Sequence, residues 1–223
     1  MPSPHTIREF TTNQYYHVFN RGVEKRDIFI DDQDFTVFLG LLKKYLTGEN
    51  SNKKNRHSFS SFQENISLIA YCLMPNHFHL LLHQKKKDGI TQLMRRVSTG
   101  YVMYFNNRYN RVGSLFQGRY KASLINKDDY LHHVSRYIHL NPENYISWPY
   151  SSLTYYKGQK RSKWVKCDQL LSLFEGDAKA YLDFVADYED SKKELDELKW
   201  QLANGKELWE VWPLTRLTQL LFY

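Results

Sequence analysis

SLIAYCLMPNHFHLLLHQ, residues Ser67 to Gln84, decides how this chain is built. Its first eight residues, Ser67 to Met74, form an apolar run bounded by turn residues, the pattern of a buried strand. Pro75-Asn76 marks a tight turn, and Phe78 to Gln84 returns as the antiparallel partner. His77 and His79 stand at the start of that second strand. Strand side chains alternate between faces, so residues two apart share one. Two imidazoles on one face, with Phe78 turned to the other, make half of a divalent-metal site. A histidine pair on a half-buried strand is often structural, so the rest of the chain must supply a third ligand and a group to be activated.

Outward from the hairpin, the pattern alternates between strand and helix. Gln14 to Asn20 has strand composition and ends at the turn signal Arg21-Gly22. Asp31 to Leu46 is an amphipathic helix, with Phe35, Phe38, Leu39, Leu42 and Leu46 on one side and Asp31, Asp32 and Asp34 at its first turn. The polar stretch Gly48 to Ser61 is a loop. Gly89 to Asn107 is a second helix, Val112 to Gly118 a loop, and Arg119 to Ile125 a strand. Asn126 is placed to cap a third helix that runs to about Leu140 and stops at Asn141-Pro142. The order strand, helix, strand, strand, helix, strand, helix predicts an α+β fold: a ferredoxin-like antiparallel sheet with helices packed on it. After about residue 160 the chain turns helical and acidic, with segments at Asp168 to Phe174 and Asp177 to Tyr188. The expected division is a catalytic domain over residues 1–160 and a C-terminal extension over 161–223.

Composition bounds the function classes. The chain has 223 residues and 42 % hydrophobic content, enough for a sizeable core. No apolar run approaches the ~20 residues that span a bilayer, and the N-terminus lacks a signal peptide's apolar core. Cys72 and Cys167 form no framework. These features point to a cytoplasmic protein with no membrane partner. The net charge is +7, and its distribution is uneven. Residues 84–126 hold nine Lys or Arg against Asp88 alone, whereas residues 168–210 hold twelve acids against five bases. The basic stretch also carries Tyr101, Tyr104, Phe105, Tyr109, Phe116 and Tyr120. Cations attract phosphates and flat rings stack on unpaired bases, at roughly 1–3 kcal/mol per base. A solvated basic face over an aromatic core would give the same composition.

The third helix is the second informative place. Tyr130, Val134, Tyr137 and Asn141 fall within roughly 60° of arc on one face. If that face meets the sheet near His77 and His79, Asn141 can offer an amide oxygen to a metal with the Tyr137 hydroxyl beside it. His133, one turn before Tyr137, is a candidate for assisting proton transfer, while His132 and His139 read as surface or packing residues. The chain has seventeen tyrosines, so any one of them is more often packing than catalytic. Its spacing to Asn141 sets Tyr137 apart.

Four segments in order carry a specific resemblance: YYHVFNRG (Tyr15 to Gly22), MPNHFHLLL (Met74 to Leu82), LFQGRYKA (Leu115 to Ala122) and DYLHHVSRYIHLNP (Asp129 to Pro142). Together they resemble the single-tyrosine HUH transposases, with REP-associated tyrosine transposases as the nearest branch, over residues 15 to about 155. The resemblance implies the HUH endonuclease version of the ferredoxin-like fold, a Mg²⁺ or Mn²⁺ ion, and site-specific cleavage and rejoining of single-stranded, hairpin-forming DNA. It implies His77, His79 and Asn141 as metal ligands and Tyr137 as the nucleophile that forms a 5′-phosphotyrosine link. The bond energy is kept in that link, so no nucleotide cofactor is expected. Arg119 and Lys121, and more weakly Arg95 and Arg96, are the expected DNA contacts. A second copy of the chain is a further candidate partner, since some relatives are dimers and others monomers. The competing reading is a nucleic-acid-binding or regulatory protein on the same fold that no longer catalyses.

Overall fold

The computed structural model describes residues 10–48, 61–125 and 128–187. Asn126 as a helix cap, most of the polar Gly48 to Ser61 stretch and the acidic chain beyond residue 187 lie outside them. Strands β1 (Gln14–Arg21), β2 (Ile66–Met74), β3 (His77–Gln84) and β4 (Lys121–Ile125) form one sheet in the order β2-β3-β1-β4. Every pairing between them is antiparallel. Helices α1 (Asp32–Thr47) and α2 (Gly89–Arg108) connect β1 to β2 and β3 to β4. This β-α-β-β-α-β arrangement is the ferredoxin-like fold expected from the sequence. It is followed by α3 (Asp128–His139), the short α4 (Leu153–Tyr156) and α5 (Asp168–Leu171), and α6 (Ala178–Ala186).

Local chemistry sets the ends of these elements. The Asp31 carboxylate caps α1 by accepting from the Gln33 and Asp34 amides, and Gly48 closes it in the left-handed conformation at φ 73°. Asp177 caps α6 through the Lys179 amide. The turn between β2 and β3 is Pro75-Asn76, so β3 starts at His77 itself rather than at Phe78. The fourth strand begins at Lys121, two residues later than the sequence pattern implied. The third helix ends at His139, which leaves Asn141 beyond it.

The strand alternation sorts residues onto two faces. Tyr16, Val18, Phe78, Leu80, Leu82 and Ala122 turn to one side, where they form a core with α1 and α2. Tyr15, His17, Phe19 and Arg21 of β1, with His77, His79, Leu81 and His83 of β3, turn to the other, where α3 packs. A bulge between Leu68 and Ala70 shifts the β2 register between its two ends. The outer edge of β2 is covered by later chain: Cys72 bridges to Ser151, and Leu68 to Val165 in parallel. Trp164 and Val165 enter the first core, whereas Leu170, Tyr181 and Val185 enter the second. No helix among the described residues is long and apolar enough to cross a membrane.

One corner joins the motif segments. The Gly22 amide donates to the Asn76 carbonyl at 2.9 Å, the Val23 amide to Leu115 at 3.0 Å and the Gln117 amide to Arg21 at 2.9 Å. Asn20 reaches across from β1 and donates through Nδ2 to the Gly118 carbonyl at 3.1 Å. A β-carbon at position 22 would lie 2.1 Å from the Arg26 carbonyl oxygen, so only glycine allows the chain to fold back there. The Pro75 carbonyl also accepts from both Ile28 and Phe29. The residues just before His77 are therefore held from several sides.

Candidate active site

His77 and His79 share a face at the end of the sheet next to this corner, with ring centroids 5.0 Å apart and planes at 85°. Asn76 Oδ1 bonds to Nδ1 of His77. With that nitrogen carrying the proton, Nε2 presents a lone pair, and it faces Asn141 Oδ1 at 3.1 Å. Two acceptors converging in this way are the arrangement a cation stabilises. Cis ligands of an octahedral ion with bonds of about 2.1 Å stand roughly 3.0 Å apart, so the observed separation fits such a pair. Among the described residues no three His, Cys, Asp or Glu side chains converge as a metal-binding group. A third ligand would thus be a neutral oxygen donor, as Asn141 is. Cys72, opposite His79 on β2, is fully buried with its thiol pKa pushed up by burial, which makes it a packing group.

Tyr137 comes from the facing helix. Its ring meets His79 edge-on at 5.3 Å between centroids, and His17 likewise at 5.9 Å. Only 4 % of the residue is exposed. Burial pushes its phenol pKa well above 10, the Cys72 sulfur nearby adds to that, and a hydrogen bond with the Asn141 side chain works the other way. Asn141 lies two residues past the helix, yet its side chain still touches both His77 and Tyr137. Tyr137, His77, His79 and Asn141 are thus brought together at one end of one face.

The expected DNA contacts are dispersed. Lys121 pairs with Phe19, which pairs with His79, so Lys121 stands on the histidine face two strands away. Arg119 is exposed just before β4. Arg95 and Arg96 ride on α2, behind the sheet. Arg95 is exposed, while the Arg96 guanidinium lies over the rings of Phe62 at 5.2 Å and Tyr45 at 5.8 Å.

Three of the six aromatics of the basic stretch lie in the core. Tyr101, Phe105 and Phe116 are buried in the α1–α2 core. Tyr104 and Tyr109 each donate to the Asp34 carboxylate at 2.9 Å, and Arg108 joins them at 2.8 Å. Asp34 is completely buried, and these partners satisfy it. His133 is also not at the site: it turns to Arg136, with Nδ1 2.9 Å from Nη2, and packs against Phe184 of α6. A proton-transfer role beside Tyr137 is therefore ruled out for it by direction.

Two residues on the histidine face were not singled out from the sequence. Arg21 is exposed and pairs with His77 across the strands. His17 is fully buried, and its Nε2 lies 2.9 Å from Nδ1 of His79. The alternation that marked His77 and His79 applies equally to Tyr15, His17, Phe19 and Arg21. What the sequence lacked was the register that sets one strand beside the other.

The family model described as "Transposase IS200 like" matches residues 11–141. Among solved structures, a REP-associated tyrosine transposase bound to a REP hairpin is similar with a TM-score of 0.50 and 14 % identity, over 72 % of this chain and 95 % of that one. A candidate transposase from Deinococcus radiodurans R1 gives a TM-score of 0.38 at 15 % identity, over 60 % and 94 % of the two chains. No curated protein matches.

Proposed function

From the premise that this chain belongs to the IS200-like transposase family, we propose that it cleaves and rejoins single-stranded DNA through a covalent link to Tyr137. The observation that carries this reading is the meeting of Tyr137 on α3 and Asn141, just past its end, with His77 and His79 on β3. In the forward step the phenolic oxygen forms a bond to the scissile phosphorus as the bond to the 3′-oxygen breaks, and the proton lost by the phenol is balanced by one taken up on the 3′-oxygen. The products are a 5′-phosphotyrosine and a free 3′-hydroxyl, which can reverse the reaction or be replaced by another strand's. Nothing is hydrolysed, so no nucleotide is consumed.

His77, His79 and Asn141 would hold a Mg²⁺ or Mn²⁺ ion. Bound there, such an ion would neutralise phosphate charge and polarise phosphorus toward attack. The protein's own part is orientation. Asn76 fixes the His77 ring, and the α3 packing aims Tyr137 at the histidines. Arg21 and Lys121, on the same face, would hold phosphates on either side. The hairpin-bound transposase of similar fold supports hairpin-forming DNA as the substrate.

The burial of Tyr137 also suits a second reading, a DNA-binding protein that does not cleave. Incubation with a labelled single-stranded hairpin and Mn²⁺, followed by a denaturing gel, separates the two. A protein–DNA adduct lost in Tyr137→Phe and in the double variant His77→Ala, His79→Ala supports cleavage. Binding with no adduct at any divalent-ion concentration supports the silent reading.

A further inference from the structure

His17 is a buried imidazole on the neighbouring strand, and the reaction above does not use it. Its ring is nearly parallel to that of His79, at 16°, with centroids 5.0 Å apart. Because Nε2 of His17 and Nδ1 of His79 are only 2.9 Å apart, the rings meet edge to edge, as a directional hydrogen bond requires. Phe19 packs against both rings, at 5.0 Å from His17 and 6.0 Å from His79, and the Tyr137 ring meets His17 edge-on from α3. The remaining nitrogen, Nδ1 of His17, is buried without a partner.

Two proton arrangements satisfy the 2.9 Å contact. In the first, His17 donates from Nε2, and His79 then carries its proton on the other nitrogen, which cannot ligate. The orphan is the lone pair on His17 Nδ1. In the second, His79 donates from Nδ1 and carries its lone pair on Nε2. His17 must then accept, which places its own proton on Nδ1 as a buried, unpaired donor. Only the second makes His79 a metal ligand, and a hydrogen bond from the distal nitrogen is how ligating histidines are commonly held.

We propose that His17 is a positioning residue for His79: it accepts the Nδ1 proton of His79, and ligand binding at His79 switches both rings to the second arrangement. The proposal rests on the metal-site reading above. The proton balance closes without net release from the pair. One proton shifts from His17 Nε2 to His79 Nδ1, and the proton that leaves His79 Nε2 is matched by one taken up at His17 Nδ1.

The test is long-range ¹H–¹⁵N NMR of the imidazole nitrogens in the full-length protein, titrated with Mg²⁺. Saturation is expected to give protonated Nδ1 on both His17 and His79. In parallel, Mn²⁺ binding is measured by electron paramagnetic resonance. His17→Phe, which keeps a flat ring but cannot accept, should weaken Mn²⁺ binding about 10–100-fold. His17→Gln, whose side-chain oxygen can accept, should stay within a few-fold of the parent. If His17→Phe does not fold, the NMR titration and the Gln variant still decide. A His79 ring that responds to Mg²⁺ while His17 keeps its proton on Nε2 would overturn this inference alone. Rings of His77 and His79 that ignore the ion would overturn the metal site and the inference with it.

Discussion

The two faces of the sheet are built from the same strands but by different rules. On the α1–α2 side the strands present Tyr16, Val18, Phe78, Leu80 and Leu82, and the helices answer with Phe35, Phe38, Leu42, Leu93 and Val97. Its one buried charge among the described residues, Asp34, is partnered by Arg108, Tyr104, Tyr109 and the Ile30 amide. On the α3 side, His17, His79, Ser135, His139, Ser151 and Ser152 are buried among the apolar groups. His139 alone bridges Tyr181 on α6, at 2.6 Å, and Ser152, at 2.7 Å, while Tyr181 donates on to Ser135. One face supplies folding energy through apolar contact. The other adds hydrogen bonds that hold imidazoles and hydroxyls in fixed directions.

Substitutions on the two faces should therefore separate activity from stability. The largest effect belongs to Tyr137→Phe, which should lower adduct formation about a thousandfold or more while leaving the urea midpoint close to the parent's. Phe38→Ala on the opposite face should do the reverse. It should lose about 3–5 kcal/mol in urea unfolding, with cleavage per folded molecule unchanged. A Phe38 variant that is stable but inactive would break the comparison.

Acid should act on the α3 face. Burial holds the His133 and His139 imidazoles down at about 3, against an ordinary 6.5. The unfolded chain takes up these protons below about pH 6.5, and the folded one does not. Stability from the neutral rings is thus complete above 6.5 and drains as pH falls toward 3, by about 1.4 kcal/mol per pH unit for each histidine. Urea midpoints between pH 7 and 5 check this, and His133→Gln should flatten the slope by about one proton. The smallest effect is expected at the rim. Lys121→Ala should reduce the logarithmic salt dependence of single-stranded DNA binding by about 0.7, the share of one phosphate contact.

The hairpin carrying His77 and His79, the element order and the helix bearing Tyr137 could all be read from the chain, because each depends on local alternation or helical spacing. What could not be read depends on which elements meet. The basic, aromatic stretch looked like a nucleic-acid surface, yet Tyr104, Arg108 and Tyr109 are drawn inward by Asp34, seventy or more residues earlier. That carboxylate reads as an ordinary first-turn acid of a helix, and nothing local shows that it will be buried. His17 was hidden for a similar reason, since its partner is fixed by strand register. Asn141, next to the helix-stopping Pro142, lies outside the helix. That departure still brings its side chain to His77 and Tyr137, because the Leu140 amide continues the helical bonding to Arg136 at 2.9 Å.

The anchoring of α3 on both sides has a consequence for stoichiometry. The helix is seated on its own sheet, and α6 of the same chain holds its outer side, where Arg136 donates to the Phe184 carbonyl and lies over that ring at 3.9 Å. On the proposed reading, Tyr137 would therefore act with His77, His79 and Asn141 of its own polypeptide. Two disabled proteins, one lacking Tyr137 and the other lacking His77 and His79, should not rescue each other when mixed, and each intact molecule should carry at most one DNA end.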